Sequence, residues 1–228
     1  MYMKKFFLFI VLVVFPILAS AQASGGQIRR KSTSIINSHS SNNSNKILYA
    51  KTGSHNGYDY VDLGLSVKWA TYNIGATSIE AYGDLFAWGE CESKSKYSED
   101  NYACAHISSL VNHNDVATEI WGGKWRMPTY EEFRELCNKC KWRWVSFRGI
   151  NGFRITGNNG NSIFLPAAGF HNSEDFISRN ERGYYWTSTL EKAEQNPQPY
   201  CLQMLDSFHE VYHYMWRWMG LSVRAVCQ

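Results

Sequence analysis

The chain has 228 residues, of which 15% are aromatic and 19% are charged, and its formal net charge at pH 7 is +3. Removing the two lysines of a predicted signal peptide leaves a net charge of about +1 (3 − 2), which gives no electrostatic basis for binding nucleic acid. Beyond residue 21 no apolar run is long enough to cross a bilayer, so we expect no transmembrane segment in the mature chain.

The first residues predict export from the cytoplasm. Lys4 and Lys5 precede an apolar run over 6–18, and the small residues 19–21 follow at the position where signal peptidase cuts. We therefore predict a signal peptide over 1–21. The mature protein is then expected in the periplasm, on the cell surface or outside the cell.

The mature chain divides into a leader and one domain. Residues 22–46 are rich in Ser, Asn and Gly with almost nothing apolar to bury, which predicts a flexible leader. Residues 47–228 are dense in aromatic side chains and predict a single domain with its own core. After Tyr60, short β-prone runs alternate with Gly and Asn turns, and the polar stretch from Cys91 to about Asn114 predicts a long loop.

The clearest helix signal begins at Thr129. This side chain can cap free amides while Glu132, three residues on, reaches back to complete a capping box. The helix is expected to end near Lys139, with an apolar stripe facing the core at Phe133, Leu136, Cys137 and Cys140. A weaker helix signal lies around Asp115 to Ile120.

The pattern beyond this helix predicts strands. The segments are KWRWVSFRG, GFRITG, SIFLPAAGF, GYYWTSTL, PYCLQML, FHEVYHYMWRW and LSVRAVC. Their β-branched and aromatic residues, separated by Gly-Asn and Asn-Gly pairs, are typical of antiparallel hairpins. Many short strands with one main helix predict an α+β domain.

The motif His209-Glu210-Val211-Tyr212-His213 satisfies the H-E-x-x-H pattern of zinc peptidases, in which both histidines lie on one face of a helix. Here the aromatic residues Tyr212, Tyr214, Trp216 and Trp218 recur at period two after a plausible turn at 206–207, which favours a strand. On a strand the two histidines would be about 13 Å apart, too far to share one ion. No third ligand with metal-site spacing follows, so we predict no metal at His209, Glu210 and His213.

Six cysteines (Cys91, Cys104, Cys137, Cys140, Cys201 and Cys227) all follow the predicted signal peptide, so disulfides are the expected state in an oxidising compartment. Six cysteines allow 15 pairings. Cys137 and Cys140 form a C-x-x-C at a helix C-terminus, where the helix dipole raises thiol pKa values, which disfavours a thioredoxin-like redox site. The sequence contains no nucleophile elbow, P-loop or dinucleotide fingerprint.

Several segments resemble a family of secreted bacterial proteins, the Fibrobacter succinogenes major paralogous domain. They are YVDLGLSVKWATYNIGA, GDLFAWGE, WGGKWRMPTYEEF, NGNSIFLPAAG, GYYWTST and GLSVRAVC, in this order. RMPTYEEF is also similar to a segment of formylglycine-generating-type proteins, so the resemblance implies a C-type-lectin-like fold. It further implies that the GLSVK and GLSVR segments pair as the first and last strands. A disulfide between Cys140 and Cys227 is implied as well, and Cys91 with Cys104 is the second expected pair.

The functional motifs of these relatives do not carry over. The active-site cysteines of formylglycine-generating oxidases and the calcium-dependent sugar motifs of C-type lectins are missing. The leading prediction is therefore a non-catalytic binding or display module without a cofactor, serving adhesion or the recognition of a glycan or protein. The alternatives are an enzyme, either a zinc hydrolase through HEVYH or an oxidase on a formylglycine-generating-like scaffold, and a subunit of a surface polymer.

Overall fold

Short strands account for most of the regular structure in residues 51–193 and 195–228, the part of the chain that the structure, a computed structural model, describes. The strands are β1 Gly53–His55, β2 Tyr58–Val61, β3 Lys68–Ala70, β4 Lys141–Phe147, β5 Ile150–Thr156, β6 Ser162–Pro166, β7 Phe170–Asn172, β8 Asp175–Ile177, β9 Gly183–Leu190, β10 Pro199–Leu205, β11 Phe208–Tyr212 and β12 Val226–Cys227. The helices are α1 Val116–Trp121 and α2 Tyr130–Lys139, with 3₁₀ turns at Glu99–Asn101 and Asn112–Asn114. The predicted signal peptide, the predicted leader and residues 47–50 lie outside the described residues.

The domain is α+β, as predicted, and its named strands pair antiparallel in four sheets. Their orders are β1-β2-β3-β12, β11-β10-β9, β4-β5-β6 and β7-β8. No helix in the described ranges combines the length and apolar character needed to cross a membrane.

The first sheet joins the two ends of the domain. Val226 lies opposite Trp69, and Cys227 lies opposite Lys68. The predicted pairing of the end strands is therefore observed, but the prediction that GLSVK and GLSVR themselves form the strands was wrong. Residues 64–67 are bends, and residues 220–222 make only isolated bridges. The ladder begins at Lys68, the last residue of GLSVK, and its partner Cys227 lies beyond GLSVR.

Helix α2 begins and ends where the sequence indicates. The Thr129 hydroxyl accepts a hydrogen bond from the Glu132 amide at 3.2 Å, and the Glu132 carboxylate accepts one from the Thr129 amide at 2.8 Å. Arg126 donates two further bonds to Glu132, at 2.8 and 2.5 Å. The first turn of α2 is thereby tied to the strand-like segment that precedes it. The weaker helix prediction is also confirmed by α1, whose N-cap is Asp115.

Strands β9 and β10 lie between two clusters of buried side chains. Trp186 is opposite Cys201 and Tyr185 is opposite Leu202, and successive residues of a strand point to opposite faces. The first core cluster includes Trp88, Trp121, Trp125, Trp186 and Cys201. The second core cluster includes Trp69, Phe133, Leu136, Tyr185 and Leu202, so it receives the apolar stripe of α2.

A fully buried arginine connects three segments of the domain. Arg224 donates hydrogen bonds to Asn73 Oδ1 at 2.9 Å, to the Ala70 carbonyl at 2.9 Å and to the Phe164 carbonyl at 2.8 Å. Burial lowers its pKa to about 10. The guanidinium therefore remains charged at neutral pH, and the hydrogen bonds to these neutral oxygen atoms offset the cost of burying its charge.

Candidate ligand-binding surface

The H-E-x-x-H motif lies in a β-hairpin, as the period-two pattern predicted. Strands β10 and β11 are joined at residues 206–207, with Leu205 opposite Phe208 and Met204 opposite His209. The first four residues of the motif therefore occupy an edge strand of the β11-β10-β9 sheet, and His213 follows directly after it. On such a strand, side chains four residues apart share a face but lie far from each other.

The two histidines of the motif have separate partners. The His209 ring stacks on Trp142 with centroids 4.2 Å apart, and burial lowers the pKa of His209. His213 instead lies next to Glu191, with 2.8 Å between His213 Nδ1 and Glu191 Oε2. In residues 51–193 and 195–228, no group of three or more His, Cys, Asp and Glu side chains has the geometry of a metal site.

The predicted strand ends earlier than the aromatic alternation. β11 stops at Tyr212, yet side chains continue to alternate between solvent and core in the segment that follows. Tyr214 and Trp216 are 73% and 48% exposed, whereas Met215 and Met219 pack against the first core cluster. The alternation thus continues in a segment outside any strand, which turns at residues 217–218 and lies on the core.

Arg217 fixes the segment that follows β11 to two loops, one at Ile107 and one at Pro197. Its guanidinium donates to the Pro197 carbonyl at 2.9 and 2.7 Å and to the Ile107 carbonyl at 2.7 Å. The same group lies over the Trp88 ring, 5.2 Å from the centroid. Because Arg217 itself is buried, the neighbouring side chains of Tyr214 and Trp216 are held outward.

Six ring side chains form a continuous series along the exit of this hairpin, which we call the aromatic band. Successive centroids are 4.3 to 5.7 Å apart, in the order Tyr130, Tyr200, His213, Tyr214, Tyr212 and Phe208. Five of the rings are partly buried and Tyr214 is exposed. Aromatic rings at such distances stabilise one another, so the band is a preformed surface.

A shallow groove of about 300 Å³ continues the band between α2 and the edge strand β11. Its helix wall consists of Tyr130, Arg134, Cys137 and Asn138, and its strand wall consists of residues 209–211. Arg134 lies over the Tyr130 ring, 5.5 Å from its centroid. The groove therefore adds charged and amide groups to an aromatic surface.

The cysteines are free thiols in the structure. Cys140 ends α2 and packs against the second core cluster, whereas Cys227 belongs to the first, and the Cys140–Cys227 and Cys91–Cys104 disulfides stay predictions. Burial raises the pKa of Cys137 to about 12 and that of Cys140 to about 11. Thiols with such pKa values are poor nucleophiles at neutral pH.

Sequence reasoning identified part of this surface. It singled out Tyr212, Tyr214 and Trp216 by their spacing, but it did not connect them with Tyr130 or Tyr200. Those two rings come from α2 and β10, and only the packing of the helix on the sheet brings them within 4.3 Å. Tyr130 had one local signal, since it is a large aromatic residue at the first position of a capped helix, beside the core-facing stripe.

Comparison of the chain with models of protein families, with curated proteins and with solved structures finds no match.

Proposed function

We propose that the chain is an exported, non-catalytic binding module that recognises carbohydrate through the aromatic band. The observation that carries the proposal is the continuity of the band with a polar groove on one accessible surface. The apolar C–H faces of sugar rings stack on aromatic rings, and the hydroxyls around them require hydrogen-bonding partners. Arg134, Asn138 and Glu210 provide such partners beside Tyr130.

The exposed aromatic residues support this proposal further. A side chain such as Tyr214 or Trp216 loses favourable burial energy when it faces water, although Met215 and Met219 of the same segment pack inward. Large exposed apolar side chains that cluster commonly mark a binding surface. The anchoring of Arg217 keeps these rings ordered, which lowers the entropic cost of binding a ligand.

The C-type-lectin-like fold and the family resemblance remain part of the proposal. Three features support them, namely the α+β arrangement, the pairing of β3 with β12, and the capping box within RMPTYEEF. The extracytoplasmic location rests on the predicted signal peptide. The zinc-hydrolase alternative is less well supported, because His209 and His213 contact different side chains on an edge strand.

The proposal is tested by affinity electrophoresis of the full chain in gels that contain neutral, amino-sugar or uronic-acid polysaccharides, together with a glycan array. We expect retardation by at least one class, and a loss of about tenfold or more in affinity for Tyr214→Ala and for Trp216→Ala. Val111→Ala is the matched control, since Val111 is 50% exposed and is not one of the residues of the band. Absence of binding to every polysaccharide would contradict the proposal. Binding that is left unchanged both by the Tyr214 variant, in the band, and by the Trp216 variant, in the segment beside it, would contradict it as well.

A further inference from the structure

A second cleft, remote in sequence from the aromatic band, lies beside the β7-β8 hairpin and has a volume of about 250 Å³. We call it the His171 cleft. Its wall includes Asp84, Leu85, His171, Phe176 and Arg179. A cleft of this size suits a small molecule, and three of its groups are available to bind one.

The first of these groups is the imidazole of His171, which is only 3% exposed. Its ring lies between Tyr97 and Phe176, with centroids 5.0 and 4.4 Å away. Nδ1 has no hydrogen-bond partner among the residues that the structure describes. Buried polar atoms nearly always have a partner, so this ring nitrogen can accept a bond from or donate a bond to a group that enters the cleft.

The second group is the guanidinium of Arg179, which stacks on the exposed Phe176 ring at 3.6 Å from the centroid. Within the described ranges it makes no hydrogen bond or ion pair. It is presented by a short turn whose flanking residues, Ser178 and Asn180, have φ of +56° and +67°. Non-glycine residues rarely adopt this conformation. Here the Asn180 amide donates to the Ala167 carbonyl, and Asn180 accepts two bonds from Asn151, which hold the turn. The turn fixes Arg179 with its N–H groups available.

The third group is the carboxylate of Asp84, which lies against Gly75. A Cβ at Gly75 would be 2.2 Å from Asp84 Oδ2, and Gly75 has a φ of +77°, so glycine is required for this placement. No ion pair engages Asp84 in residues 51–193 and 195–228. Lys94, the other cation at the cleft, is already paired with Glu90 at 2.6 Å.

The Tyr97 hydroxyl at the cleft already has hydrogen-bond partners. Tyr97 donates its O–H to the Leu85 carbonyl and accepts a bond from the Lys94 amide at 2.9 Å. The groups left for a ligand are therefore one cation, one anion, one imidazole and the Ser93 hydroxyl, beside the apolar surfaces of Phe176 and Leu85. A purely anionic ligand would be repelled by Asp84, and a purely cationic one by Arg179.

We propose that the His171 cleft binds a small zwitterion, an α-amino acid with an apolar side chain. Its carboxylate pairs with the guanidinium edge of Arg179, a geometry in which two parallel hydrogen bonds form. Its ammonium group pairs with Asp84, and its side chain packs on Phe176 and Leu85. His171 contributes a hydrogen bond from the buried wall. This site is independent of the carbohydrate surface proposed above.

The test is an NMR titration of the full chain with leucine and with two molecules that each lack one charge, isocaproate and isoamylamine. We expect leucine to bind about tenfold or more tighter than either of them, and the imidazole nitrogen signals of His171 to shift on binding. Equal affinities for all three molecules would overturn the proposal, as would unchanged His171 signals at saturation.

Two variants at exposed positions separate the roles of the charges. Asp84→Asn is expected to weaken leucine and isoamylamine by about tenfold and to leave isocaproate unweakened, whereas Arg179→Met should have the opposite selectivity. Arg182→Met and Asp100→Asn are matched controls, since both residues are exposed and lie outside the cleft wall. Wild-type affinity for leucine in both cleft variants would refute the assignment.

Discussion

Replacing Arg224 by Met tests whether this buried cation holds the domain together. Met has similar length and no charge, so the change removes the three hydrogen bonds to Asn73, Ala70 and Phe164 while leaving little empty space. The three acceptors are then left in an interior where Arg224 itself has no exposed surface. The variant should therefore destabilise the folded state, although it also removes a buried charge.

The magnitude follows from two opposing terms. Hydrogen bonds from a charged donor contribute roughly 1.5–3 kcal/mol each, so three of them contribute roughly 4–9 kcal/mol. Burial lowers the pKa of Arg224 from 12.5 to about 10, which corresponds to a cost of about 3 kcal/mol for keeping the charge inside. The difference predicts a loss of about 1–6 kcal/mol in the free energy of unfolding for Arg224→Met.

Urea unfolding followed by tryptophan fluorescence measures this loss, provided that the slope of the transition stays constant. Arg224→Lys should lose a comparable amount, because one ammonium group cannot reach three acceptors that a planar guanidinium reaches in different directions. Arg143→Met, at an exposed position of β4, should change stability by less than about 0.5 kcal/mol. If the free energy of unfolding of Arg224→Met differed from that of the wild type by less than about 0.5 kcal/mol, the structural role given to Arg224 would be incorrect.

Two further predictions concern the cap of α2 and the thiols. Thr129→Ala removes the acceptor for the Glu132 amide and should cost about 1 kcal/mol in urea unfolding, with Thr129→Ser close to wild type. Burial alone would raise the pKa of Glu132, but the bonds from Arg126 and Thr129 lower it overall. The Glu132 carboxylate thus contributes its full stabilisation above the pKa that it has in the unfolded chain, and this stabilisation is lost as the pH falls through its lower pKa in the folded protein. Glu132→Gln should remove this part of the acid dependence of the free energy of unfolding. In the reduced protein, burial raises the pKa of Cys91 and Cys201 to about 12. Iodoacetamide at pH 8 should therefore label these two thiols about tenfold more slowly in the folded state than in urea, as measured by mass spectrometry. Equal labelling rates in the two states would contradict the burial of these thiols.

Local signals predicted the elements that depend on neighbouring residues. Thr129 and Glu132 lie three positions apart and form their bonds within one turn, so the start of α2 could be read directly. The turn at residues 206–207 is equally local, because two strands meet across two residues. The β1-β2 hairpin was missed, although Asn56-Gly57, with φ of +48° and +85°, is the sequence signal for such a turn.

Features that depend on distant residues could not be predicted in the same way. Arg224 follows an apolar run and carries no sign that its partners are at residues 70, 73 and 164, so its buried role emerges only from the packing. The His171 cleft is similar, since it combines residues 84–85 with residues 171–179. The pattern Tyr212, Tyr214 and Trp216 was interpreted as one long strand, but the ladder ends at the pair Tyr212 and Cys201 although β10 continues to Pro199. The register of β10 shifts between Pro199 and Cys201, where the ladder with β11 stops.

The closure of the first sheet also constrains how the domain folds during synthesis. The bond from Arg224 to Ala70 joins residues 154 positions apart, and β12 supplies the last strand of a sheet whose other members come from the start of the domain. A nascent chain lacking its final residues cannot complete either core cluster, because Val226 and Cys227 belong to one each. Contacts of such high sequence separation form slowly. The topology therefore predicts that neither core cluster is completed during synthesis until residues 226–227 have emerged from the ribosome.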